Sequence, residues 1–193
     1  MKKESQHSTI LAAIDKRASV RSFTKQAIPE SLIVELLTAG TYAPSSGNMQ
    51  PWEFIVIQEH EQMQELVGCT YFGYFSKGGN HQHWIGEAGV IFVVCANQKR
   101  TEARYGQDGK GWSIIDVSAA AENILLAATA LGLAGCWVGG FDEKKVKELL
   151  RIPEYVKIIG LLPIGYPLQE TKRKSRLPLS LVTHKGKYNE RYF

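Results

Sequence analysis

The sequence predicts helices packed on a single mixed β-sheet, a fold of the α/β or α+β class. Val90 to Cys95 is an unbroken β-branched and aromatic run, the pattern of a strand buried on both faces. Asp116 to Leu131 is rich in Ala and Leu, is apolar on almost every side and meets a stop at Gly132, which predicts a central buried helix. Around these two runs, helical and extended periodicities alternate, with no repeat or low-complexity stretch. With 193 residues, 44% hydrophobic and 22% charged, the chain has ordinary globular usage and the length of one domain, residues 1–193.

Taken in order, Thr9 is placed to cap a helix carrying Ile10, Leu11 and Ile14, and the basic stretch Lys16 to Arg21 follows just past its end. Pro29 suits the first position of a second helix, with Leu32, Ile33, Leu36 and Leu37 on one face and an end near Gly40. Ala43 to Pro51 is a loop by composition, Trp52 to Gln58 a strand, and Glu59 to Val67 a short polar helix. Tyr71 to Trp84 mixes aromatics and glycines without a period, so no regular element is assigned there. Gly135 to Val138 and Lys157 to Ile164 read as further strands, separated by a helix at Glu143 to Leu150 that Pro153 closes. Periodicity does not reveal whether neighbouring strands run parallel or antiparallel.

The formal net charge of +4 makes an anionic partner plausible but is too small to argue for nucleic acid. Cys69, Cys95 and Cys136 form neither a paired framework nor a zinc signature, and are read as reduced, mostly core thiols. Met1 to Thr9 is polar and lacks the apolar stretch of a signal peptide. Ala88 to Ala96, taken as the most apolar segment, falls short of the roughly 20 residues that span a bilayer. The expectation is a soluble, cytoplasmic protein with no membrane partner.

Two segments, Arg17-Ala18-Ser19-Val20-Arg21 and Lys174-Ser175-Arg176, each set two cations around a serine, a unit suited to a phosphate monoester. The bland reading of Lys172 to Arg176 is a solvated basic run. Pro44-Ser45-Ser46-Gly47-Asn48 has the chemistry of a turn that satisfies its own backbone. Trp137-Val138-Gly139-Gly140 ends in two residues without a β-carbon, which lets backbone N–H groups approach a flat ligand closely; otherwise it is a strand-to-helix turn leading to Asp142. No GxGxxG, phosphate loop, GxSxG elbow or Cys/His nucleophile pattern is present. His81 and His83 have no further ligand at metal spacing, so no metal is expected.

Taken together and in this order, the four segments resemble the nitroreductase family of FMN-dependent oxidoreductases. The likeness is carried by Arg17 to Phe23, by Ala43 to Trp52, by Asp116 to Trp137 with its Gly132-Leu133-Ala134-Gly135-Cys136-Trp137 ending, and by Lys174 to Pro178. It implies an α+β fold in which helices flank a central mixed, mostly antiparallel sheet, and an intertwined homodimer with two FMN molecules at its interface. Arg17, Ser19, Lys174 and Arg176, with Ala18 between them, match positions that hold the FMN phosphate. Arg21 matches the cation beside the flavin N1 and O2 edge. Pro44, Ser45, Ser46 and Asn48 match the loop that the other subunit contributes. Gly139 and Gly140, reached through Trp137 and Val138, match the backbone facing N5 and O4, although many relatives carry Glu where this chain has Gly139.

The resemblance further implies hydride transfer from NADH or NADPH through flavin N5 to a small-molecule acceptor such as a nitroaromatic or quinone, in a ping-pong scheme. No catalytic side chain of the protein's own is required, because the cofactor carries the chemistry. Relatives of this fold also include reductive dehalogenases and flavin-degrading enzymes. Tyr71 to Trp84 and Arg100 to Trp112 are the segments expected to cover the site and choose among these reactions. A polyanion-binding module built on Lys172, Arg173, Lys174 and Arg176 is the non-enzymatic rival.

Overall fold

The computed structural model describes residues 10–73 and 80–193. The Thr9 cap, the Met1 to Thr9 segment and the aromatics Tyr74 and Phe75 lie outside the described residues. The helices are α1 (residues 10–16), α2 (Glu30–Thr41), α3 (His60–Val67), α4 (Gln98–Tyr105), α5 (Asp108–Ala130) and α6 (Glu143–Leu150). The strands are β1 (Trp52–Ile57), β2 (Val90–Asn97), β3 (Ala134–Gly135) and β4 (Val156–Gly165), in the order β1-β2-β4-β3. All three ladders are antiparallel, and an isolated parallel bridge joins Ser19 to Gly135. The class is therefore α+β.

β2 explains the layering. Val90, Phe92, Val94 and Ala96 pack with Ile33 and Leu36 of α2 and with Val117, Ala120, Ala121 and Ile124 of α5. Ile91, Val93 and Cys95 alternate to the opposite face, where Met63 and Leu66 of α3 and Val146 of α6 cover them. A strand buried on both faces needs apolar residues at every position, hence its unbroken run. Each fully buried Ile or Leu contributes about 1.5–3 kcal/mol.

α5 begins at Asp108, eight residues before the start read from the sequence. The Arg100 to Trp112 segment, expected to cover the site, holds most of α4 and the first turn of α5. α5 also has the length and hydropathy to cross a membrane, which Ala88 to Ala96 does not. Its Val117, Ala120, Ala121, Ile124 and Ala128 are buried on the sheet, so its apolar content is that of a core helix.

Pro29 stands at the N-cap of α2, one place before the position expected, and its carbonyl accepts from Leu32 and Ile33. Ile28 and Ile33 meet in the same core across that cap, a hydrophobic staple. The Gly135 to Val138 strand is shorter than its apolar run suggested. Cys136 N–H donates to the Pro163 carbonyl at 3.3 Å, but Pro163 has no N–H to return the bond, and pairing resumes only at Val138 with Leu161.

Candidate functional site

At the edge of the sheet, the segment after α1 meets the segment after β4. Leaving β4, the chain pairs antiparallel with the segment after α1: Thr24 N–H donates to Tyr166, Leu168 N–H to Ser22, and Phe23 bridges Pro167. Continued in the same direction, this alignment lays residues 171–173 beside residues 17–19. Arg173 fastens the outer strand by an ion pair of 2.8 Å to Asp15.

Past the end of α1, Ser19 bridges Gly135 and Val20 N–H bonds to Gly135 O at 3.1 Å, with the Val20 side chain in the core. Alternation then puts Arg17, Ser19 and Arg21 on the side away from Val20, which is why cations and serine recur at every second position. With Ala18, Lys172, Lys174 and Arg176 they line a cavity of about 160 Å³. Carboxylate compensation is sparse: Glu122 meets Arg17 at 3.4 Å and Asp15 pairs with Arg173. Like charges held this close repel unless an anion joins them, so the donor set fits a phosphate.

Arg21 and Lys174 also border a second cleft, of about 590 Å³, walled by Tyr71, Phe72 and Gln82 on one side and by Cys136 to Gly140 on the other. Arg21 stands 5.8 Å from the Trp84 ring, a cation–π contact that keeps its guanidinium at this junction. Val138 is buried and contributes backbone rather than side chain. Among the described residues other than its chain neighbours, no atom lies within 4 Å of where a β-carbon on Gly139 would stand. The N–H groups of Gly139 and Gly140 make no hydrogen bond among the described residues. A small cationic cavity opening into a larger cleft with spare backbone donors suits a flat heterocycle carrying a phosphate.

Burial pushes the Cys136 thiol up from its ordinary value, opposed by Arg21, by a hydrogen bond with Ser19 and by Arg17. It is a wall of the cleft, not a nucleophile. Among the described residues no group of three or more His, Cys, Asp or Glu could hold a metal ion.

Pro44, Ser45, Ser46 and Asn48 line neither cavity. Their loop makes one turn of 3₁₀ helix, Ser46–Asn48, near α4 and α5. Ser46 directs its N–H and hydroxyl to Asp116, and Ser45 Oγ accepts from Gln50 N–H at 3.0 Å. One copy of the chain thus brings together Arg17, Ala18, Ser19, Arg21, Lys174 and Arg176 with Trp137 to Gly140, and leaves the serine loop apart.

Sequence reasoning missed Asp116, Gln82 and Glu122. An acid flanked by Ile115 and Val117 in a core helix is a signal that could have found Asp116. Gln82 stands in no motif and acts on backbone carbonyls, so its pattern carries no signal.

The nitroreductase family model matches residues 14–166. A protein of Archaeoglobus fulgidus is 35% identical over 164 residues, 83% of this chain and 86% of that one. The FMN reductase (NADPH) of Bacillus subtilis is 29% identical, covering 95% of this chain and 75% of its own. The NADPH:FMN oxidoreductase of Vibrio harveyi, solved in complex with NAD+, superposes with a TM-score of 0.81 at 26% identity, covering 94% of this chain and 79% of that one.

Proposed function

The chain belongs to the nitroreductase family, and on that premise we propose that it is an FMN-dependent NAD(P)H oxidoreductase working as a homodimer. The observation that carries this reading is the convergence of Arg17, Arg21, Lys174 and Arg176 from opposite ends of the chain on one small cavity. When bound, FMN supplies the redox chemistry, taking hydride from NADH or NADPH at N5 and passing it to an acceptor such as a nitroaromatic or quinone.

The chain's own residues bind and orient. Arg17, Lys174 and Arg176, with the Ser19 hydroxyl and the backbone at Ala18, hold the phosphate through charge-assisted hydrogen bonds. Arg21, at the junction with the larger cleft, sets positive charge beside the ring edge that becomes electron-rich on reduction. Gly139 and Gly140 supply backbone donors, and Trp137 and Val138 anchor them to β4. Pro44, Ser45, Ser46 and Asn48 serve the cavity of the partner subunit.

The exposed apolar side chains support pairing. Ile10, Leu11 and Ile14 of α1, Ile115 of α5, and Leu177, Leu179, Leu181 and Phe193 of the C-terminal segment all lie at the surface of the single chain. Large apolar side chains exposed in this number support burial against a second copy of the chain. The basic run does not make a nucleic-acid face, since Arg173 is paired with Asp15 and Lys174 and Arg176 line the cavity. We read the protein as cytoplasmic, with Cys69, Cys95 and Cys136 free thiols.

Purified protein should be a yellow dimer that releases FMN on denaturation. NADH or NADPH should bleach it without oxygen, and double-reciprocal plots against acceptor should be parallel. A colourless preparation that takes up no added FMN, or bound flavin that neither nicotinamide bleaches, would overturn the reading.

A further inference from the structure

The two walls of the larger cleft are joined by a side chain that no motif contains. Tyr71 N–H donates to the Gly140 carbonyl at 2.9 Å, and Asp142 N–H to Cys69 at 2.8 Å, which makes a single bridge between the walls. Across it, Gln82 Nε2 donates to Tyr71 O and to Gly140 O, each at 3.0 Å. Both partners are carbonyls, so only the NH2 end of the carboxamide fits there, and both its protons are used. The residue is itself fixed: Gln82 N–H donates at 2.9 Å to the hydroxyl of Thr70, which is 2% exposed and donates in turn to Val67 O at 2.7 Å.

The glycine is matched to this clamp. A β-carbon at Gly140 would stand 2.7 Å from Tyr71 O and 3.1 Å from Gln82 Nε2, so no other residue permits the approach. Two successive glycines have the widest conformational freedom available to a chain, and donors carried on them are useful only if something else restricts them. Gln82 supplies the restriction from outside the segment.

We propose that Gln82 is a positioning residue, whose carboxamide ties the Tyr71 and Gly140 carbonyls together and so fixes the unengaged Gly139 and Gly140 N–H groups that would meet the reacting edge of the flavin. This assignment rests on the functional reading above. Preorganised donors cost no reorganisation when charge develops, and a misplacement of about 1 Å costs up to roughly a hundredfold in rate.

The test compares the FMN-loaded wild type with Gln82→Met, which keeps length but loses both donors, and Gln82→Glu, which sets a carboxylate against two carbonyls. FMN affinity is expected to stay within about threefold of wild type, because the phosphate cations are untouched, while flavin reduction by NAD(P)H slows by about tenfold or more and the bound-flavin absorption bands shift. In flavin-free protein, backbone 15N relaxation should show Gly139 and Gly140 less ordered in both variants. Should either variant fail to fold, Gly140→Ala pushes the same walls apart and is expected to reproduce the slowing. Wild-type reduction rates, unshifted bands and equally ordered glycines would overturn the assignment. If the wild type bound no FMN, the functional reading would fall, and the flavin-free relaxation data would decide the clamp separately.

Discussion

Asp116 of α5 receives both the backbone N–H and the hydroxyl of Ser46, each at 3.0 Å, with only 6% of its surface exposed. The loop it holds is strained: Gly47, Asn48 and Gln50 have φ of 56°, 58° and 48°. Left-handed backbone at a non-glycine residue costs on the order of 1–3 kcal/mol, and the cost is offset here by contacts from the helices. Arg104 adds a bond to Gly47 O at 3.1 Å and Arg100 one to Gln50 O at 2.8 Å. Asp116→Ala strands two donors and is expected to lower the unfolding free energy by about 2–4 kcal/mol. Asp116→Asn should cost less, because its carbonyl oxygen still accepts one bond. Urea unfolding at fixed protein concentration measures both, and equal midpoints for wild type and Asp116→Ala would refute the role.

Arg176 borders the small cavity, although its Nη1 donates to Lys174 O and Ser175 O at 3.0 and 3.3 Å. Among the described residues its other guanidinium nitrogens make no hydrogen bond, which leaves them for an anion. Arg176→Ala is expected to weaken FMN binding by roughly tenfold to a hundredfold, the worth of one charge-assisted hydrogen bond. Riboflavin, which lacks the phosphate, should bind wild type and variant alike. Flavin fluorescence titration separates the cases, and a folded variant with unchanged FMN affinity removes Arg176 from the site.

How much of this is legible in the sequence depends on whether a residue acts through its own side-chain pattern. β2 is legible because both its faces are buried, and Arg17, Ser19 and Arg21 because an extended chain displays alternation directly. The start of α5 is not. Gly109 and Gly111 are poor helix formers, and the helix holds there because α4 packs so closely that a β-carbon on Gly109 would stand 2.6 Å from Thr101 O. The break after β3 depends on Pro163 lying opposite Cys136, a matter of register between distant strands. The meeting of Arg17 with Lys174 likewise follows from residues 22–24 pairing with 166–168, which no local periodicity encodes.

Arg21 lies at the junction of the two cavities, beside Trp84. A fixed cation there favours the reduced, electron-rich form of a bound flavin, so Arg21→Ala should make the midpoint potential more negative. A loss of about 1.4 kcal/mol corresponds to roughly 30 mV for a two-electron couple. Equilibration with a reference dye during anaerobic reduction gives the value. A potential unchanged or raised in the FMN-loaded variant would contradict the placement of Arg21 near the ring.

Cys95, in the middle of β2, is 1% exposed. Burial pushes its thiol up to about 12 from an ordinary value of 9.0, with Glu53 and Glu143 adding to the rise. Cys69 and Cys136 are raised as well, again chiefly by burial. Because the folded value exceeds the unfolded one, the unfolded chain binds fewer protons between about pH 9 and about pH 12, and stability falls as pH rises through that window. Below about pH 9 both states keep the proton and the contribution is intact. The slope approaches about 1.4 kcal/mol per pH unit for each thiol whose two values bracket the pH. Cys95→Ala should therefore start less stable at neutral pH, through the lost sulfur packing, yet lose less on going to about pH 11. Denaturant unfolding at the two pH values measures that difference, and an identical alkaline loss in wild type and variant would show that Cys95 does not ionise on unfolding.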